Sequence, residues 1–296
     1  VGRIKNSDRI TAALLQWGSS ELRDLPWRRA SDPWHVLVSE VMLQQTSVAR
    51  VLPKFEFFIE AYPTPHALAT SSLGEALSLW QGLGYPRRCR NLRDAAIVIA
   101  DTHDGDVPDQ LEALLALPGV GPYTARAVLA FAYRRDVAVV DVNVSRVFSR
   151  LRGEPMTAKQ LQDMADALVP LGLSWEWNQV LMELGGRVCT ARSPRCTECP
   201  IRKWCTFMKS KNDIDPASLS AGASKPQPRF EGSDRQLRGA VLRIVLDTSH
   251  KNRSHTMDDI LLHFPDSEQR IRVEKIMIDL VDEGLLVRRG QKISAP

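Results

Sequence analysis

Residues 117–132 read LPGVGPYTARAVLAFA, and the eight residues before them, DQLEALLA (109–116), carry apolar side chains at helical spacing. A helix, a turn built on Gly119 and Gly121, and a second helix are expected. The two glycines open backbone conformations that other residues reach poorly. Amides released at the start of the second helix can point at a phosphate, with the helix field in favour. A bare helical turn is the plainer reading of this stretch alone.

The same design recurs upstream in LWQGLGYPRRCRNLRDAA (79–96), where GLG is followed by Tyr85 and by Arg87, Arg88, Arg90 and Arg93. An aromatic ring at such a turn can wedge into a base stack, and nearby arginines can contact phosphate. Taken by itself Tyr85 reads more readily as structural, and the two turns together with the basic cysteine segment at 187–209 reverse that preference.

Around them the pattern is helical. DRITAALLQWGSS (8–20) spaces Ile10, Ala13, Leu14 and Trp17 on one face. SDPWHVLVSEVMLQQT (31–46) starts with an Asp32 cap and Pro33 in the first turn, and its helix is expected to reach Ser47, with Pro53 marking a later start or irregularity. Further helices are expected near 73–80, 87–101, 109–116, 122–133, 142–151, 158–168 and 175–187. The fold class is all-α. Residues 1–209 form the core, 210–230 read as a Ser/Pro/Lys-rich linker, and 231–296 form a small, winged-helix-like domain.

At 296 residues and 44% hydrophobic composition, the chain has enough apolar content for a real core. No apolar run approaches a membrane span, so no membrane partner is expected. The first residues do not read as an export signal, and a cytoplasmic location, on the nucleoid in a prokaryote, is expected. The formal charge is only +4, but residues 187–209 hold Arg187, Arg192, Arg195, Arg202, Lys203 and Lys209 against Glu198 alone. Such a patch suits an anionic partner or a solvated surface.

Two carboxylates stand out. Glu40 interrupts the apolar run VLVSEVML, with Val36, Leu37, Val41 and Leu43 around it and Gln44 one turn on. A carboxyl group so placed can have its pKa raised and donate a proton. Asp141, in AVVDVNVSRV with Asn143 two residues later, sits where a helix starts, and backbone N–H bonds there favour its ionised form. An exposed acid and a simple helix cap are the respective alternatives. Together the pair suits N-glycoside cleavage: one group protonates a purine, and the other steadies the positive sugar left behind. A base must leave the stack to reach them.

Cys189, Cys196, Cys199 and Cys205 are separated by six, two and five residues. Four thiolates satisfy zinc or iron, and ligand type does not choose between them. Disulfides are disfavoured in a cytoplasmic chain. Cys89 has no neighbouring partners and reads as a structural thiol.

The stretches LPWR (25–28), SEVMLQQT (39–46), GLGY (82–85), LPGVGPYTA (117–125), VDVNVSRV (140–147), WNQVLMELG (177–185) and the cysteine segment closely resemble the helix–hairpin–helix DNA glycosylases, and within them the adenine DNA glycosylases of MutY type. The resemblance implies a two-lobed helical core and a [4Fe–4S] cluster on the four cysteines. It implies Glu40 as catalytic acid and Asp141 as stabilising carboxylate, with Trp27, Arg28, Gln44, Asn143 and Gln179 in or beside the adenine pocket. Gln45 and Tyr85 match positions that enter or flank the opened base stack, and Gly119, Gly121 and Tyr123 lie in the second hairpin. The implied partner is double-stranded DNA carrying adenine opposite 8-oxoguanine or guanine, met by a monomer; replication or repair proteins are conceivable further partners. Related bifunctional enzymes place a Schiff-base lysine at the position of Tyr123, and tyrosine has no such amine, so the reaction is expected to stop at the abasic site. Two departures stand. The Nudix-like domain of the long family form is not recognisable in 211–296, and Val142 replaces a small residue between the matched Asp and Asn.

Overall fold

A computed structural model describes residues 6–29, 31–210, 214–223, 228–247 and 254–296. In chain order the helices are α1 Ser7–Glu21, α2 Pro26–Arg29, α3 Pro33–Leu43, α4 Val48–Ala61, α5 Pro65–Thr70, α6 Leu73–Trp80, α7 Arg87–Thr102 and α8 Leu111–Ala116. They continue with α9 Pro122–Phe131, α10 Val142–Arg152, α11 Ala158–Leu168, α12 Ser174–Arg187 and α13 Thr206–Lys209. The last part holds α14 Asp234–Val245, β1 His255–Thr256, α15 Met257–Leu261, α16 Ser267–Asp282, β2 Val287–Arg289 and β3 Lys292–Ser294. The core is helical as expected. Among the described residues no helix is long and apolar enough to cross a membrane.

The described residues form two compact units, one from Val1–Val36, Asp109–Leu115 and Val120–Pro226, the other from Leu37–Pro108, Ala116–Gly119 and Gln227–Pro296. In the first, α1, α10, α11 and α12 enclose Ile10, Leu14, Phe148, Leu161, Trp177 and Val180. Gly18 makes the α1–α12 approach possible, since a Cβ there would lie 2.0 Å from Val180 Cγ2. Within residues 210–230, the stretch 214–223 is packed: Ala221 N donates to Met156 O (2.9 Å), and Asp215 pairs with Arg150 (2.6 Å).

In the second unit, α4, α6 and α7 meet around Phe58 and Trp80, whose rings cross edge-on at 5.8 Å. The sequence suggested that the α3 helix would reach Ser47, with Pro53 as an irregularity. Instead α3 stops at Leu43, and Pro53 lies inside α4. The reason is Arg88, which takes the carbonyls that a longer helix would use internally. Residues 234–294 form the helix–strand–helix–helix–hairpin order of a winged helix, with an antiparallel sheet in the order β1-β3-β2. His255 and Arg288 both pair with Ile293.

Candidate active site

In the second unit Glu40 is 6% exposed on α3, with Leu37, Val38 and Val41 buried around it. Two residues past α3 the backbone turns left-handed at Gln45 (φ 56°), and it does so again at Tyr85 (φ 49°) after Gly82 and Gly84 (φ 90° and 73°). A non-glycine residue in this region is uncommon and must be held there. Arg88 does the holding. Its guanidinium donates to Val41 O, Met42 O, Gln44 O, Leu83 O, Gly84 O and Thr46 Oγ1 at 2.6–3.1 Å. It lies over the Trp80 and Tyr85 rings at 5.5 and 5.4 Å. One side chain thus ties the end of the Glu40 helix to the turn carrying Tyr85. Burial lowers the Arg88 pKa to about 10, which leaves it cationic at neutral pH.

The four arginines after Tyr85, read in the sequence as positive charge near phosphate, are engaged within the unit to different degrees. Arg88 is consumed internally, and Arg93 donates to Ser71 O (2.8 Å) and Ala69 O. Arg90 donates to Glu283 O, and Arg87 pairs with the Glu283 carboxylate (3.7 Å). Cys89 is fully buried, and burial pushes its thiol up, which agrees with a structural role.

In the first unit Asp141 caps α10. Its Oδ1 accepts from Asn143 N (2.8 Å) and Val144 N (2.7 Å), and its Oδ2 accepts from Asn143 Nδ2 (2.7 Å). Burial pushes its carboxyl above the ordinary value, against the pull of these donors and of Arg146. The sequence reading had weighed the donors alone. Asn143 Oδ1 in turn accepts from Arg146 Nη2 (2.7 Å), and Arg146 Nε donates to Cys189 O (2.6 Å). Gly185 makes room for Asn143, because a Cβ there would stand 2.6 Å from Asn143 Cβ. Val142 is exposed beside the cap.

Gln179 is buried on α12, and its Oε1 accepts from Arg28 Nε (2.7 Å), which directs its amide nitrogen the other way. Arg28 also pairs with Glu183 Oε2 (2.9 Å), and Arg23 bonds the same carboxylate through both oxygens. Burial alone would raise the Glu183 carboxyl, but the Arg23 and Arg28 bonds outweigh it and leave the group below its ordinary value. Glu183 went unrecognised in the sequence, although it lies in the quoted WNQVLMELG stretch. Trp27 is buried on α2.

At the second glycine turn, only Gly119 has a left-handed backbone (φ 74°). Gly121 is the N-cap of α9, with no side-chain cap bond, and Tyr123 follows in the first helical turn.

The four cysteines 189, 196, 199 and 205 line one small cavity of about 30 Å³, with Val188, Phe207 and Met208. No disulfide links them. Arg150 Nη1 donates to Cys189 Sγ (3.2 Å) and Thr190 O (2.8 Å), supporting the loop from beneath. Burial, with the other three sulfurs adding, pushes the Cys199 thiol up to about 11. Thiols gathered this way become thiolates when a cationic centre displaces their protons. Four thiols lining one cavity form a donor set that suits a thiolate-held inorganic centre. Arg202, Lys203 and Lys209 line an adjoining open hollow, whereas Arg195 is engaged by Glu198 (3.0 Å) and Arg187 O (2.6 Å).

Residues 38–171 match the family model of the HhH-GPD superfamily base excision DNA repair proteins, and residues 189–205 match the iron–sulfur binding domain of endonuclease III. The chain is 44% identical over 239 residues to an adenine DNA glycosylase of Mycobacterium tuberculosis, covering 78% of this chain and 77% of that protein. The chain belongs to the adenine DNA glycosylase family. A Mycolicibacterium smegmatis member is 40% identical over 272 residues and 90% of both chains, so that likeness extends past the catalytic core. The human protein is 38% identical over 227 residues, which are 72% of this chain and 41% of that one. Among solved structures, a thermostable thymine-DNA glycosylase superposes with a TM-score of 0.65 at 29% identity, over 69% of this chain and 96% of that one. As a family member the chain is a DNA glycosylase with a helix–hairpin–helix core and an iron–sulfur binding domain.

Proposed function

We propose that the chain excises adenine paired with 8-oxoguanine or guanine and leaves an abasic site. The observation that carries this reading is the contrast between its two carboxylates: Glu40 is buried on an apolar helix face, and Asp141 is held by three N–H donors. Glu40 delivers its proton to N7 of an extrahelical adenine. The C1′–N9 bond breaks with its electron pair going to the purine. The ionised Asp141 carboxylate stabilises the resulting oxocarbenium-like sugar. Water adds at C1′, and its proton returns to the Glu40 carboxylate. Gln179, aimed by Arg28, supports recognition of the base edge, and Tyr85 with Gln45 supports opening of the stack. Tyr123 offers no amine for strand cleavage.

The [4Fe–4S] cluster would be held by Cys189, Cys196, Cys199 and Cys205, and when bound it supplies a cationic cross-link that orders the loop. Arg202 and Lys203 then meet phosphate from an ordered surface.

The test is single-turnover release of adenine from duplexes with guanine or 8-oxoguanine opposite, scored separately from strand breakage. Wild type should release base without nicking, and Glu40→Gln should lose at least ~10³-fold of that rate. Asp141→Asn should also lose activity, because the amide carries no charge to stabilise the sugar cation and keeps only one of the two oxygens that accept from Asn143 and Val144. Release from thymine mismatches in place of adenine would overturn the substrate assignment.

A further inference from the structure

The winged module carries its charge unevenly. Residues 284–294 contain Arg288, Arg289 and Lys292 and no acid, and all three are exposed on the β2–β3 hairpin around Gly290. None of them forms a salt bridge among the described residues, whereas Arg272 of α16 is paired with Asp234 (2.6 Å). The exposed side of α16 differs in kind. It shows Ile271 and Ile278 among Glu274, Lys275 and Asp282, a nearly neutral surface unsuited to a polyanion. The wing, rather than the helix, has the chemistry for phosphate.

The hairpin is anchored at both ends within its own unit. Ahead of β2, Glu283 is bonded by Arg238 (2.5 Å), Arg87 and Arg90, and Gly284 beside it takes a left-handed backbone (φ 64°) with Arg90 Nη1 packed against it. Beyond β3, Pro296 O accepts from Gly74 N at 3.3 Å, and a Cβ on Gly74 would lie 2.8 Å from Ala295 Cβ. Arg87 is the first residue of α7, two past Tyr85. Arg288 is five residues past Glu283, so its Cα lies within about 18 Å of that anchor. Three cations without a salt bridge are thereby carried on an anchored hairpin in the same unit as the turn bearing Tyr85.

We infer that this wing is a second DNA contact, binding the phosphates of the duplex arm flanking the mismatch through Arg288, Arg289 and Lys292. The inference rests on the reading that the chain acts on duplex DNA. Anchoring at both ends lowers the ordering cost that a floppy basic tail would incur. The contact adds affinity and footprint without base readout.

The test compares full-length wild type with Arg288→Ser/Arg289→Ser/Lys292→Ser and, as a control on the same module, Lys275→Ser. Binding to an adenine:guanine duplex is followed across a salt series. The triple variant should lose about 2–3 from the log–log salt slope and at least ~10-fold in affinity at low salt. Its melting temperature and its base release at saturating enzyme should stay with wild type. Shortening one duplex arm should weaken wild type and leave the triple variant indifferent. If wild type neither binds nor releases adenine, both readings fall. If wild type does both while the triple variant keeps its slope and its sensitivity to arm length, the wing assignment alone is overturned.

Discussion

The two glycine turns look alike in sequence and are held in opposite ways. At 82–85 the chain takes three left-handed residues, one of them Tyr85, and a buried arginine from the following helix ties Leu83 O and Gly84 O to the end of α3. At 119–121 a single left-handed glycine suffices, and the helix that follows has no side-chain cap at its start. The first turn places a side chain against its backbone preference. The second clears side chains away from backbone amides. Strain is tolerated at Tyr85, and open space is kept around Gly121 at the start of α9.

That contrast breaks most sharply at Arg88. Arg88→Ala should cost about 3 kcal/mol or more, because six acceptors, three of them in buried bonds and three in part-buried ones, lose a charged donor. Arg88→Lys should recover little, since an ammonium does not span such a fork of acceptors. Denaturant unfolding measures both, and a lysine variant of wild-type stability would contradict the clamp. Gly119→Ala comes next, at about 2–3 kcal/mol, from left-handed strain plus the 2.6 Å approach to Asn91 Cβ.

Acid should have a smaller effect, centred on the first unit. The folded-state values of Glu183 and Asp215 lie below their ordinary ones. Each therefore contributes stability that is complete above its unfolded-state value and is lost as pH falls through the folded one. The melting temperature should decline below about pH 4.5, more steeply in wild type than in Glu183→Gln. The smallest change is Gly121→Ala. Its backbone is ordinary and its surroundings open, so stability should move by less than about 1 kcal/mol. DNA affinity should nevertheless fall if the amides beside it grip phosphate. Equal binding by this variant would remove the distinction between the turns.

Much of this was legible locally. Helices such as α6 and α11 follow from apolar spacing and from caps within a few residues, as with the Ser72–Glu75 box of α6. The winged order follows from a short strand after a glycine turn. What escaped depended on distant partners. The end of α3 is set by an arginine 44 residues beyond Gln44, and Glu183 is matched by Arg23 and Arg28 some 160 residues earlier. Charge alone made Arg88 and Arg93 look like phosphate ligands, because sequence does not show which cations are spent on carbonyls. For Asp141 the donors were readable from the cap, but the burial opposing them was not.

The close crossing at Gly18 has a consequence for the growing chain. The groove that receives α1 is supplied by Val180, roughly 160 residues later, so a ribosome adding about 5–20 residues per second leaves Ile10 and Leu14 without their permanent neighbours for about 8–30 s. During that interval the second unit's own 37–108 stretch is completed first, and the opening helix must be kept from straying until α12 emerges.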